Sequence, residues 1–232
     1  MPDAVLVQGA SRGLGLAFVK RLIGQFPSSK IIATCRDPNS ALALQELVEL
    51  HPQRVTLLRL DVTDVYSLEA VAEAVSVSGK PIDLLINCAG VLHSPEGLRP
   101  EKRLQDVCLS NLEQYFRVNT IGPLMVAKHL VPLMTRRRRA IIANLSARVG
   151  SISDNRLGGW YGYRASKSAQ NMMTKTLSIE LKRTHPEMIC VGLHPGTVAT
   201  ELSAPFSSRV APEKLFSPEE AATKLLAVIE KL

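Results

Sequence analysis

No two of the four cysteines, Cys35, Cys88, Cys108 and Cys190, are spaced as Cys-x-x-Cys, and three lie in or beside apolar runs. That pattern excludes a disulfide framework and the common zinc motifs; buried, reduced thiols and no metal site are the expectation. No apolar stretch approaches the roughly 20 residues that span a bilayer. The start, Met1-Pro2-Asp3, has no basic segment ahead of Ala4-Val5-Leu6-Val7, so neither a membrane span nor a signal peptide is expected. A cytoplasmic setting follows, or a reducing organelle if a transit peptide has been removed. No Pro/Gly/Ser-rich linker and no internal repeat divides the chain, so a single domain over residues 1–232 is expected. Aromatic residues are scarce at 4%, and none interleaves with the run Arg136-Arg137-Arg138-Arg139. The net charge of +7 therefore carries no nucleic-acid reading, and no nucleic-acid partner is expected. The arginine run falls where a helix should end, where cations complement the carbonyl end of the dipole. A basic surface also attracts an anionic dinucleotide.

What is present is a regular alternation. Runs rich in Val, Ile and Leu occur at 4–8, 30–35, 54–60, 82–88, 140–145 and 188–193, without polar alternation, as strands buried on both faces require. Helical stripes lie between them, the longer ones at about 110–136 and 160–184. The last, at about 217–231, opens on Ser217-Pro218-Glu219-Glu220, a cap with proline at the first turn and acids beside it. The expected fold class is α/β: one doubly wound parallel sheet with helices on both faces, joined by right-handed crossovers.

The first strand runs into Gly9-Ala10-Ser11-Arg12-Gly13-Leu14-Gly15 and then an apolar helix. Glycine at such a turn permits close approach of the backbone to a phosphate, and the helix N-terminus offers free amides to a pyrophosphate. The spacing is not that of the ATPase phosphate loop, which ends in Gly-Lys-Ser/Thr. At the end of the second strand stands Arg36, with Arg12 flanking the loop. A carboxylate at Arg36's position would take the ribose hydroxyls; two arginines instead select a 2′-phosphate, pointing to NADP(H). Asp37 follows at once, so a shift of one residue would invert that choice.

Tyr163 and Lys167 are four residues apart, about one helical turn, and Tyr163 follows Ser146 by seventeen. A phenol ionises near pH 10. A cation on the same helix face is expected to lower that value and make the phenol usable as an acid and base.

With these residues the chain resembles the short-chain dehydrogenase/reductase family along essentially its whole length, and most of all its sniffer/C-factor-like branch, which includes NADPH-dependent carbonyl reductases. Gly9, Gly13 and Gly15 match the cofactor loop, and Asp61-Val62 the pair that contacts adenine. Asn87-Cys88-Ala89-Gly90 matches the segment that braces the sheet and lines the cofactor. Pro195-Gly196-Thr197-Val198-x-Thr200 matches the segment closing over the nicotinamide, and Asn119, Ser146, Tyr163 and Lys167 fall in the catalytic tetrad. The resemblance implies hydride transfer from NADPH to a ketone or aldehyde, with Tyr163 as acid. Lys167 binds the ribose and tunes the tyrosine, Ser146 hydrogen-bonds the carbonyl, and Asn119 holds a water. It implies a seventh strand beyond Leu232, which the sequence does not contain, and pairing of two copies through the long helices at 110–136 and 160–184. A packed His194 is expected, and the segments Leu92 to Cys108 and Ala199 to Phe216 are expected to flank the active-site mouth, the second as an apolar lid carrying Leu202, Ala204, Pro205, Phe206 and Leu215. A catalytically weak NADP(H)-binding regulator or scaffold of the same fold is the alternative.

Overall fold

The computed structural model describes residues 2–232. Six strands, β1 (Ala4–Gln8), β2 (Lys30–Cys35), β3 (Val55–Arg59), β4 (Leu84–Asn87), β5 (Ala140–Leu145) and β6 (Met188–Leu193), form one sheet in the order β3-β2-β1-β4-β5-β6. Every pairing is parallel. β1, β4 and β5 are buried throughout, while β3 and β6, at the edges, are partly open to solvent. The near-continuous apolar runs have that cause: the central strands are covered on both faces. Among the described residues β6 has β5 as its one neighbour, and no seventh strand joins the sheet.

The helices are α1 (Gly13–Gln25), α2 (Leu42–Leu50), α3 (Val65–Val77), α4 (Leu109–Phe116), α5 (Gly122–Leu130), α6 (Tyr161–Leu181) and α7 (Pro218–Lys231). One buried cluster joins α1, α2 and α7 to the sheet through Phe18, Leu22, Leu44, Leu226 and Ile229. A second, on the other face, joins α3, α5 and α6 through Leu68, Val71, Val126, Leu130 and Leu181. The chain order reverses between β1 and β4, which opens a crevice at their carboxyl ends.

α7 begins as expected, with a reciprocal cap: the Glu220 N–H donates to Ser217 Oγ (3.1 Å) and the Ser217 N–H to Glu220 Oε2 (2.8 Å). The expected helix at 110–136 is not continuous. α4 passes into a π-helical turn, Arg117–Ile121, then α5, then a 3-10 turn at Val131–Leu133. Pro123 has no N–H to offer the carbonyl of Asn119, and the chain widens just before it; Pro132 marks the tightening at the other end.

The four arginines lie beyond that helix rather than at its end. Arg138 pairs with Asp3 (2.6 Å) and with the buried Asp83 (2.9 Å). Arg139 donates to the carbonyls of Ile229 (2.6 Å) and Glu230 (3.2 Å), so it complements the carbonyl end of α7, a helix distant in sequence. A short parallel pair, β7 (Thr197–Val198) with β8 (Leu215–Phe216), was not visible as a pattern and anchors both ends of the 199–214 stretch.

Candidate active site

The glycine turn is held by backbone. Gly9 and Ala10 both donate to the carbonyl of Thr34 at 3.0 and 2.8 Å. Gly9 has φ +79°, and a Cβ there would stand 2.7 Å from the Ala89 nitrogen, where β4 leaves the sheet. A Cβ on Gly15 would stand 2.1 Å from the Gly9 carbonyl oxygen. Only glycine permits these approaches. Gln8, which stands beneath the turn, accepts from the Ala89 N–H through Oε1 at 3.1 Å, so the link across β1 and β4 is made by its amide. α1 has neither a capping side chain at Arg12 nor an acid in its first turn, which leaves its N-terminal amides free for an anion. Ser11 lies in the turn and Leu14 packs on the core below it. The cradle therefore fits a dinucleotide pyrophosphate.

Arg36 follows β2 directly and is exposed. Asp37, beside it and also exposed, accepts the Asn39 N–H through Oδ1 (3.0 Å) in the turn toward α2. Glu96, from the loop after β4, is held below the usual carboxylate range chiefly by the Ser94 hydroxyl, with the Arg36 charge contributing less. Arg12 pairs with Glu201 at 2.7 Å, both largely exposed. Asp61 Oδ1 accepts the Thr63 N–H and hydroxyl at 2.8 Å each, building the turn after β3, and Val62 is buried beside Gly122.

The segment closing the crevice returns to the glycine turn. Thr200 Cγ2 is 3.2 Å from where a Cβ on Gly13 would stand. Gly196, at φ +77°, leaves no room for a side chain against the Phe216 ring (2.8 Å). Pro195 is partly buried and Val198 buried, whereas His194 is exposed rather than packed.

At the carboxyl ends of β4 and β5 the structure brings together Gly90, Asn119, Tyr163 and Lys167. A Cβ on Gly90 would be 3.4 Å from Asn119 Oδ1 and 3.9 Å from Lys167 Nζ. Asn119, wholly buried in the π-turn, accepts the Val91 N–H (2.8 Å) and donates to the Val91 carbonyl (2.9 Å) and Ser166 Oγ (3.2 Å). Its side chain is thus spent on locking the loop after β4. Lys167 Nζ donates to the Leu145 carbonyl (2.7 Å) and Gln170 Oε1 (3.3 Å) and lies 5.9 Å from the Tyr163 ring centroid.

Electrostatics here run opposite to the expected tuning. Burial pushes the Tyr163 phenol up to about 12, and no neighbouring charge or hydrogen bond offsets it. Burial also pulls Lys167 down to about 8, against the smaller effect of Cys88. The spacing does put the two groups on one helix face, but the ammonium is turned to backbone and amide oxygens and is itself poorly solvated, so desolvation decides both values.

Ser146 is the second departure. Its Oγ donates to Asn171 Oδ1 at 2.7 Å. Its N–H still pairs with Leu193 as in a strand (2.8 Å), and Ala147 is extended (φ −146°, ψ 147°), so the two side chains leave on opposite sides. Ala147 packs on the cluster that contains Tyr163, while the Ser146 Cβ lies toward Gly192, 3.7 Å from where a Cβ on that glycine would stand.

That cluster holds much of the molecule's scarce aromatic content. Trp160 and Tyr115 rings each lie 6.1 Å from Tyr163, and Phe206 lies 5.0 Å from Trp160 and 5.8 Å from His93. Leu92 and Leu98 complete it, so both expected mouth segments contribute. Trp160 takes a left-handed conformation (φ +54°), unusual for a bulky side chain. Glu101 holds it: its carbonyl accepts the Trp160 N–H and its buried carboxylate accepts the Gly162 N–H at 3.1 Å, capping α6 from sixty residues away. Sequence reasoning missed Glu101, since nothing local marks a distant cap. It also missed a buried chain that reaches Lys167: Asn87 donates to Asn144 (2.7 Å), Asn144 to Thr174 (2.9 Å), and Thr174 to the Gln170 carbonyl (2.8 Å). Runs such as Ala143-Asn144-Leu145, with one amide inside a buried strand, were the available signal.

A family model described as short chain dehydrogenase matches residues 3–211. A 1-hydroxy-2-glutathionyl-2-methyl-3-butene dehydrogenase of a Rhodococcus species is 30% identical over 230 residues, spanning 99% of this chain and 92% of that protein. Among solved structures, the NADPH-bound carbonyl reductase from chicken fatty liver superposes with a TM-score of 0.87 at 31% identity, over 99% of this chain and 92% of that one. The carbonyl reductase Sniffer of D. melanogaster does so with a TM-score of 0.86 at 29% identity, over 100% and 93%.

Proposed function

This chain belongs to the short chain dehydrogenase family, and on that premise we propose that it is an NADPH-dependent oxidoreductase that reduces the carbonyl of a ketone or aldehyde. The observation that carries this reading is the buried Tyr163 phenol, free of other partners, one helical turn from a buried Lys167 at the carboxyl ends of β4 and β5. NADPH, when bound, supplies the hydride. The glycine turn and the open amides of α1 receive the pyrophosphate, and Arg12 and Arg36 take the 2′-phosphate, Arg12 exchanging Glu201 for it. Lys167 bonds the nicotinamide ribose, and Tyr163 gives its proton to the carbonyl oxygen. Asn119 fixes the loop at Val91 beside Lys167, and a water held at that turn would return protons past Lys167. Burial keeps the Tyr163 phenol protonated across the neutral range, the form that a proton donor needs. The aromatic and leucine surround favours a substrate with an apolar body.

Exposed apolar side chains on the long helical segments, among them Leu124, Met172 and Ile179, favour a homodimer. A second reading, an NADP(H)-binding regulator with little turnover, is favoured by one observation: the Ser146 hydroxyl is turned onto Asn171. Fluorescence titration with NADPH and NADH, followed by absorbance of the reduced nicotinamide over a panel of carbonyls, separates the two. Preferential NADPH binding with turnover supports the reductase; preferential binding without turnover supports the regulator; absence of binding overturns both.

A further inference from the structure

Resting on the reductase reading, we infer that Ala147 leaves the substrate carbonyl with Tyr163 as its one side-chain donor, which restricts this chain to electron-poor, intrinsically reactive carbonyls. The placement rests on the backbone. Just past β5 the Ser146 N–H still pairs with Leu193 at 2.8 Å, and Ala147 is extended, so the two consecutive side chains take opposite sides. Ser146 falls on the side of Asn171, which takes its hydroxyl proton at 2.7 Å. Ala147 falls on the side of the cluster formed by Leu92, Leu98, Tyr115 and Tyr163, and packs against it.

No nearby hydroxyl makes up the difference. Tyr115 Oη, which shares the cluster, is committed to the Leu92 carbonyl at 2.7 Å. Ser166 Oγ donates to the Tyr163 carbonyl at 2.8 Å and meets Asn119. A methyl therefore stands on the wall where a hydroxyl could have shared the charge that develops on the carbonyl oxygen. With one donor fewer, more of the barrier is left to the carbonyl itself, so electron-withdrawing substituents matter more.

The test is a gain of function. Ala147→Ser adds one oxygen at an extended position that accepts any residue, and Trp160, the single tryptophan, lies 6.1 Å from Tyr163 and reports occupancy by its fluorescence. Benzamide, an unreactive carbonyl, is titrated against both proteins, and both are assayed with NADPH on para-substituted benzaldehydes from nitro to methoxy. The expected result is about threefold to tenfold tighter benzamide binding by Ala147→Ser. Turnover is expected to rise about tenfold or more, and the spread between nitro and methoxy substrates to narrow. Adding Tyr163→Phe should remove the gain. A wild type that turns over while Ala147→Ser, still binding NADPH, is no faster and shows the same substituent dependence overturns the inference and leaves the reductase intact. No turnover by either protein overturns the reductase reading itself and the inference with it.

Discussion

The crevice has two walls built on different principles. The cofactor wall, from Gly9 to Gly15 and on to Arg36, is a backbone surface whose shape is set by what glycine lacks: a Cβ would collide with backbone 2.7 Å away at Gly9 and 2.1 Å away at Gly15. The substrate wall is made of side chains from separate elements, with Tyr163 and Trp160 on or beside α6, Leu92 after β4 and Phe206 beyond β7. The first wall tolerates almost no change of shape. The second depends on which way each side chain is turned, and there a single alternation decides whether a hydroxyl or a methyl meets the tyrosine.

Breaking the cofactor wall has the largest expected effect. Gly15→Val drives three carbons into the Gly9 carbonyl, and the expected outcome is loss of NADPH binding together with a strongly lowered melting temperature, read by fluorescence and thermal unfolding.

Lys167 sharpens the contrast through pH. Folded, it releases its proton near 8; unfolded, near 10.5. Between those values the unfolded chain holds the extra proton, so stability rises with pH. Tyr163 acts oppositely, losing stability as pH climbs from 10 toward 12. Urea unfolding at pH 8 and pH 10 should show the wild type gaining about 2–3 kcal/mol relative to Lys167→Met. An unchanged difference would mean that Lys167 is better solvated than its burial indicates.

Arg36→Asp should reverse the preference between NADPH and NADH by roughly tenfold to a hundredfold, from loss of a charge-assisted phosphate contact. Parallel titrations with the two nucleotides check it, and an unchanged ratio would leave Arg12 as the sole reader of the phosphate.

Ser146→Ala has the smallest expected effect. Losing the Asn171 hydrogen bond costs about 1 kcal/mol in unfolding experiments, with a loss of turnover far below that of a variant at Tyr163. A loss as large as that of Tyr163→Phe would restore Ser146 to the chemistry.

Much of this architecture was legible because burial on both faces leaves long apolar runs, and because a glycine turn between strand and helix has few other uses. The break inside 110–136 was less so: Pro123 was visible, but the turn it forces depends on Asn119 reaching Val91 in another loop. The side taken by Ser146 could not be read at all. β5 is buried along its whole length, so no alternation of polar and apolar residues reveals which face a residue takes. Spacing likewise placed Lys167 beside Tyr163 but carried no information on solvation, and solvation sets both their pKa values. The Glu101 cap and the Asn87–Asn144–Thr174 chain depend on contacts between residues far apart, and a single sequence does not record them.

The most direct measurement compares wild type with Tyr163→Phe, recording NADPH affinity and single-turnover reduction of a nitrobenzaldehyde on the same preparations. NADPH affinity within about threefold of wild type and a reduction rate lowered by roughly a hundredfold or more is the predicted result, since only the substrate wall loses its acid. Reduction at an undiminished rate, or loss of NADPH binding from a folded variant, would contradict the division of the crevice into a cofactor wall and a chemical one.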